Sequence, residues 1–198
     1  MLTALICSLL EVDPAHRTEF LAFHTREHLP ERMSVPGFCS GRRFVSAANR
    51  NRFLIVYEVE TLAVLQSAAY VERLNQPTDW TRRCMAFVRG NDRMAIQLQR
   101  VIGAGHGGHA RLLHDGHQAA DAIAAMPGIV AVRTGWISPE ASDMDSVERR
   151  VLGGGDHQRA PLMLVEAIDA GKLCGVDKKT ASPGAEDAVF QLQFALTR

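Results

Sequence analysis

Two histidines, two glutamates and two phenylalanines crowd into Phe20-Leu-Ala-Phe-His-Thr-Arg-Glu-His-Leu-Pro-Glu-Arg32. Helical neighbours lie three and four positions apart, so Phe20, His24 and His28 stack along one stripe with Leu21 beside them. Phe23 and Glu27 form the adjoining stripe. A core-facing stripe is normally apolar throughout; this one carries imidazoles, which titrate near neutral pH. Three chemistries suit it. His28 can cap the helix end, with His24 half exposed. His28, with Glu27, can act as acid, base or hydrogen-bond donor in a small-molecule pocket, with His24 beside it. The pattern His24-Thr-Arg-Glu-His28 also matches the inverted zinc-protease order H-x-x-E-H, although no persuasive third ligand follows. Pro30 lacks a backbone donor and disfavours helical geometry at Leu29. The helix is therefore expected to stop there, leaving His28 in a last turn where the helix dipole favours its cation.

Other candidates lie on neighbouring segments. Tyr57, Tyr70 and Trp80 can wall an apolar pocket or fill a core. Arg42 and Arg43 occupy consecutive strand positions, so they point to opposite faces of the sheet; Arg42 is taken as a pocket residue that could hold an anion. His106, His109, His114 and His117 surround a glycine-rich stretch that reads as a linker or a weak metal scavenger. Gly153-Gly-Gly155 lacks the lysine and hydroxyl of a phosphate loop. No metal site or cofactor is expected.

The elements that must position these groups follow from pattern. Thr3–Val12 reads as a buried strand. Asp13-Pro14 starts a helix, with the aspartate as cap. Pro36-Gly37 turns into a strand over Phe38–Ser46, and Phe53–Val59 completes a hairpin. Thr61–Leu74 has helical spacing, and Met94–Ile102 reads as a fourth strand. The order β-α-β-β-α-β is the ferredoxin-like plait. A boundary falls in Gly103–Gly108, giving a first repeat over 1–103, with the candidate pocket, and a second over 104–198.

The second half repeats the first. Met126–Arg133 mirrors Val35–Arg42 at an offset of 91, Leu162–Glu166 mirrors Leu54–Glu58 at 108, and Gln191–Gln193 mirrors Gln97–Gln99 at 94. Short matches in the same order argue for duplication. The shifting offsets place a 17-residue gain at Ser138–Ala160 and a loss in the second helix, where only Ala170–Val176 offers helical material. The degenerate half reads as a structural partner. The fold expected is α+β: two plaits that bury their bare sheet faces together as a barrel, with a pocket between a sheet and its own helices.

The first hundred residues resemble the dimeric α/β-barrel superfamily, especially its EthD-like members. The resemblance is carried by Glu27-His28-Leu29-Pro30, Val35-Pro36-Gly37, Tyr57-Glu58, Ser67-Ala-Ala-Tyr70 and Pro77-Thr-Asp-Trp-Thr-Arg-Arg83. It implies a pocket for a small, often aromatic compound, and a cofactor-free isomerase, cyclase or monooxygenase in which His28 works on the substrate. A non-catalytic binding module and a metal or haem protein are the other classes it admits. A homodimer is implied as well.

Composition bounds the remaining classes. The chain has 198 residues, with Lys+Arg and Asp+Glu at 22 each, so no basic excess points to nucleic acid or an anionic membrane. No apolar run approaches the ~20 residues of a spanning helix. No basic segment leads a long apolar one, so a signal peptide is not expected. The cysteines, at 7, 39, 84 and 174, form no C-x-x-C pair and read as reduced thiols of a cytoplasmic protein.

Overall fold

The computed structural model describes residues 2–153, 156–176 and 189–198. Eight antiparallel strands close into a barrel in the order β1-β3-β2-β8-β5-β7-β6-β4. They are β1 Ala4–Val12, β2 Phe38–Ser46, β3 Arg52–Val59, β4 Val88–Gly103, β5 His109–Leu113, β6 Ile129–Ile137, β7 Pro161–Ala167 and β8 Val189–Thr197. The first four run β4-β1-β3-β2 and the last four β8-β5-β7-β6, the same plait order twice. The two sheets join at β2–β8 and β4–β6, both antiparallel. The barrel closes within one chain, which the duplication had left open, and a closed barrel leaves no open sheet edge.

The repeat is visible down to single glycines. Gly37 and Gly128, 91 positions apart, enter β2 and β6 at φ +91° and +87°, a region that side chains with a Cβ avoid. At Gly37 a Cβ would also meet Val64 Cγ2 at 2.5 Å.

Strand alternation sorts the apolar residues into three layers. On β1, Ala4 and Ile6 face the helices of the first repeat, while Leu5 and Cys7 face the barrel interior. A third cluster, including Ile123, Val132, Met163, Val165 and Leu173, lies between the second sheet and its short helices.

The helices differ from expectation in one way that matters for the site. Helix α1, Arg17–Phe23, does not stop at Pro30. It passes through a π turn at His24–His28 into α2, Leu29–Ser34. Leu29 N–H donates to His24 O across that turn, and Pro30 falls in the first turn of α2, where a missing donor costs little. A π turn inside a helix reaims side chains and recurs at functional sites. The expected helix over Thr61–Leu74 is a 3-10 turn at Leu62–Gln66 followed by α3, Ala68–Asn75, capped by Ser67. Helix α4, Asp79–Met85, is capped by Thr78. In the second repeat, α5 spans Ala120–Ala124 and α8 spans Ala170–Leu173.

The segment gained by the second repeat forms α6, Pro139–Ser142, and α7, Val147–Leu152. It does not cover its own sheet. Instead, α7 packs on α3 and α4 of the first repeat, and Ala95 N–H donates to Ser142 Oγ at 2.9 Å.

Candidate functional site

The π turn carries His24 and His28, and α2 carries Arg32, over the outer face of the first sheet, four residues apart. Beneath them lie Ile55 and Tyr57 of β3 and Phe38 of β2, with Tyr70 of α3 at the side. Between these residues is a cavity of about 110 Å³. Gly41 makes the floor possible: a Cβ there would meet the Tyr57 ring at 3.0 Å and Leu29 at 3.1 Å. The rings form a continuous wall, with Phe20–His24 centroids 5.5 Å apart, His24–His28 5.4 Å, Phe23–His28 5.4 Å and Phe38–Tyr57 5.6 Å. The outer wall comes from the second repeat, through Ser142, Asp143, Met144, Glu148 and His157.

Four polar atoms of this lining are enclosed without a protein partner: His24 Nδ1, His28 Nδ1, Tyr57 Oη and Arg32 Nη1. Leaving one such group unpaired costs about 1–3 kcal/mol, and most buried polar groups in folded proteins are paired. Here four belong to the lining of one cavity.

Electrostatics keep both imidazoles neutral. Burial, reinforced by the guanidinium groups of Arg43 and Arg32, holds His24 well below the ordinary imidazole range. Burial, Arg32 and His24 do the same to His28. This corrects the expected imidazolium at His28, because the helix continues for a further turn and a half and places a cation, Arg32, beside the ring. Arg32 is itself buried and pairs with both carboxylate oxygens of Glu148 on α7. Burial raises the Glu148 carboxyl despite that partner, and it raises the Tyr57 phenol as well.

The remaining sequence candidates are placed as follows. Tyr70 lines the cavity and its hydroxyl accepts from Arg93 Nη2 at 3.1 Å. Glu27 does not line it; its Oε1 accepts from Thr78 at 2.5 Å and Thr81 at 3.2 Å, tying the helix to the start of α4. Trp80 sits behind Phe23, edge to face at 5.6 Å. Arg42 lies on the opposite side of the sheet from the cavity, and Arg43 is the member of that pair under the helices, donating to Thr25 Oγ1 at 3.1 Å. Arg32, Phe38, Arg93, Glu148 and His157 are lining residues the sequence reading missed. Arg32 carried a signal, since it continues the stripe Phe20–His24–His28 by one more step of four.

Arg42 has a different role. With Glu58, Arg133 and Glu166 it forms a buried quartet inside the barrel, two residues from each repeat at equivalent positions. Arg42 and Arg133 each pair with Glu166, and each reaches Glu58, at 3.2 and 3.0 Å. His106 Nε2 adds a contact to Glu58 at 3.0 Å. Burial pushes the Glu58 carboxyl up, but the His106 hydrogen bond and the two arginines outweigh it and hold it at about 2.

The enclosed part of the cavity, about 110 Å³, is of the size that holds about one ring, and a haem would need it to widen. Among the described residues no three histidine, cysteine or carboxylate groups come together as a metal site. The histidine-rich stretch is dispersed: His106 binds Glu58, and His117 Nε2 contacts Leu162 O at 3.0 Å. No helix among the described residues is long and apolar enough to cross a membrane.

No protein-family model matches the sequence, and no curated protein matches it significantly. Solved structures do share the fold. An anthrone oxidase-like protein superposes with a TM-score of 0.63 at 8% identity, over 100% of this chain and 94% of its own. A protein from Fusobacterium nucleatum subsp. nucleatum named as a monooxygenase gives 0.59 at 10% identity, over 100% and 95%. One named as a chlorite dismutase gives 0.53 at 10%, over 97% and 96%. At such identities the likeness is one of fold, and the chain has the architecture of the ferredoxin-like α+β barrel proteins.

Proposed function

We propose that the cavity under α1 and α2 binds a small, largely apolar compound of about one ring's size at its inner end, and that His28 removes a proton from it. The carrying observation is the set of four unpartnered polar atoms beside the aromatic wall of the cavity. A neutral imidazole is the basic form, as proton abstraction requires. Tyr57 Oη and Arg32 Nη1 are donors suited to a carbonyl or phenol oxygen, and they would stabilise the negative charge that grows there as the proton leaves. Nearby aromatic rings exclude water, which strengthens those interactions. This chemistry belongs to enolisation, and so to isomerases, cyclases and oxygenases that activate the substrate rather than a cofactor. Two of the fold's neighbours carry oxidase or monooxygenase names, which fit that class, and the one named as a chlorite dismutase does not. Within it, Glu27-His28-Leu29-Pro30 supports an EthD-like relationship.

The test is hydrogen–deuterium exchange into one- and two-ring ketones and phenols, followed by NMR, alongside binding read from the fluorescence of Trp80 behind Phe23. Exchange that is lost in His28→Gln while binding persists supports catalysis. Binding without exchange, unchanged in that variant, would make the protein a binding module instead. No binding of any such compound would remove the pocket reading altogether.

A further inference from the structure

The segment between β6 and β7, a strap along the outer side of the cavity, is fastened to the first repeat by Arg93 of β4, which donates to Ala141 O at 2.9 Å and Ser142 O at 3.2 Å, and by two side-chain ion pairs. One is the Arg32–Glu148 pair. The other centres on His157. Its Nδ1 lies 2.6 Å from Asp143 Oδ1, and its Nε2 lies 2.7 Å from Asp92 Oδ1 on β4. A carboxylate only accepts hydrogen bonds, and a neutral imidazole has a single N–H. Both contacts are hydrogen bonds at once only when the ring carries its second proton. The bridge between the strap and β4 is therefore a bridge through a cation.

The two carboxylates favour that state, against one cation beside them, Arg149. Arg149 on α7 donates to Asp143 Oδ1 at 3.0 Å and to Asp156 Oδ1 at 3.3 Å. The backbone N–H of His157 also donates to Asp143 Oδ2, at 2.8 Å. Burial pulls the His157 imidazole down, but its bonds to Asp143 and Asp92 outweigh that and leave it above its ordinary range. The two ends of the bridge are unequal. Asp143 keeps Arg149 and a backbone donor whatever His157 does, whereas Asp92, with its side chain 45% exposed, has only the imidazole at that oxygen to hold it to the strap.

We propose that His157 is a proton-dependent clasp that fixes the outer wall of the cavity to β4. A raised folded-state pKa places the complete clasp below about pH 6.5, and it is lost as the pH rises through the raised value. On deprotonation the Asp92 bond goes first, and α7 with Glu148 is then held to the first repeat by fewer contacts. His157 is a positioning residue in this scheme, and the scheme holds whichever molecule the cavity takes.

Hydrogen exchange of the full chain at pH 6 and pH 8.5, corrected for intrinsic rates, tests the clasp without any ligand. The amides of Val147–Leu152 report on α7, and those of β7 serve as the reference. Relative protection of α7 falls by about tenfold between the two pH values in the native protein, the worth of one charge-assisted hydrogen bond. His157→Gln is poorly protected at both. Asp92→Asn, at the more exposed partner and so without risk to the core, flattens the profile independently. A flat profile in the native protein, or the native slope surviving in either variant, overturns the proposal.

Discussion

Tyr57→Phe separates a residue kept for binding from one kept for stability. The Tyr57 ring is buried and packs edge-on to Phe38 at 5.6 Å, and phenylalanine preserves that contact. What the change deletes is a hydroxyl enclosed without a protein partner. Removing such a group recovers its desolvation cost of about 1–3 kcal/mol. For a chain of this length each kcal/mol moves the melting temperature by about 2–4 °C, so the variant melts roughly 2–12 °C higher. Affinity for a ligand whose oxygen meets Tyr57 falls by about 0.5–1.5 kcal/mol, the net worth of a neutral hydrogen bond. Calorimetry of the free protein and titration with the best ketone or phenol read the two effects separately. A melting temperature that drops would mean that the hydroxyl is satisfied within the folded protein, and the chief support for the pocket reading would be gone. A stabilised variant with unaltered affinity would refute the assignment of Tyr57 to the ligand's oxygen.

Other perturbations test other parts of the structure. Glu166→Gln leaves Arg42 and Arg133 sharing Glu58 alone, so the interior quartet gains an uncompensated positive charge. The expected loss is about 3–5 kcal/mol by urea denaturation, with ligand affinity unchanged at temperatures where the protein is folded. Replacing all four residues with apolar ones of similar size should recover most of that loss; a Glu166→Gln loss below about 1 kcal/mol would contradict the cross-repeat pairing. Acid sensitivity tests the neutral imidazoles. His24 and His28 have depressed folded-state pKa values, so the unfolded chain binds protons first as the pH falls below about 6.5. Stability is present above that pH and declines below it, by up to about 1.4 kcal/mol per pH unit for each histidine. Comparing urea midpoints at pH 7.5 and 5.5 in the native protein and in His24→Gln isolates the effect, and an identical pH dependence in both would exclude it.

Much of the architecture was legible in the chain because it rests on local rules repeated twice. Strand alternation, the Asp13-Pro14 helix start and the Pro-Gly turns before β2 and β6 are each set by a few neighbouring residues. Their recurrence at offsets near 91 to 108 points to two plaits that need one another. The imidazole stripe was equally readable, since residues four apart on a helix share a face. Its end was misread because a proline after Leu29 normally stops a helix, and whether a π turn absorbs the missing donor depends on what packs against both sides.

What the tertiary structure alone decided are the long-range pairings. Arg42 and Arg43 must face opposite ways, but only the barrel's closure shows which one looks inward to meet Glu166, 124 residues later. The gained segment of the second repeat has no local reason to lie over the first, and its own composition does not mark Glu148 and His157 as cavity residues. Those assignments depend on charges brought together from distant parts of the chain, and the electrostatic energy of a buried group depends on its neighbours in space rather than in sequence. For the same reason the sequence supplied His28 as a candidate, while its neutral state follows from burial beside Arg32.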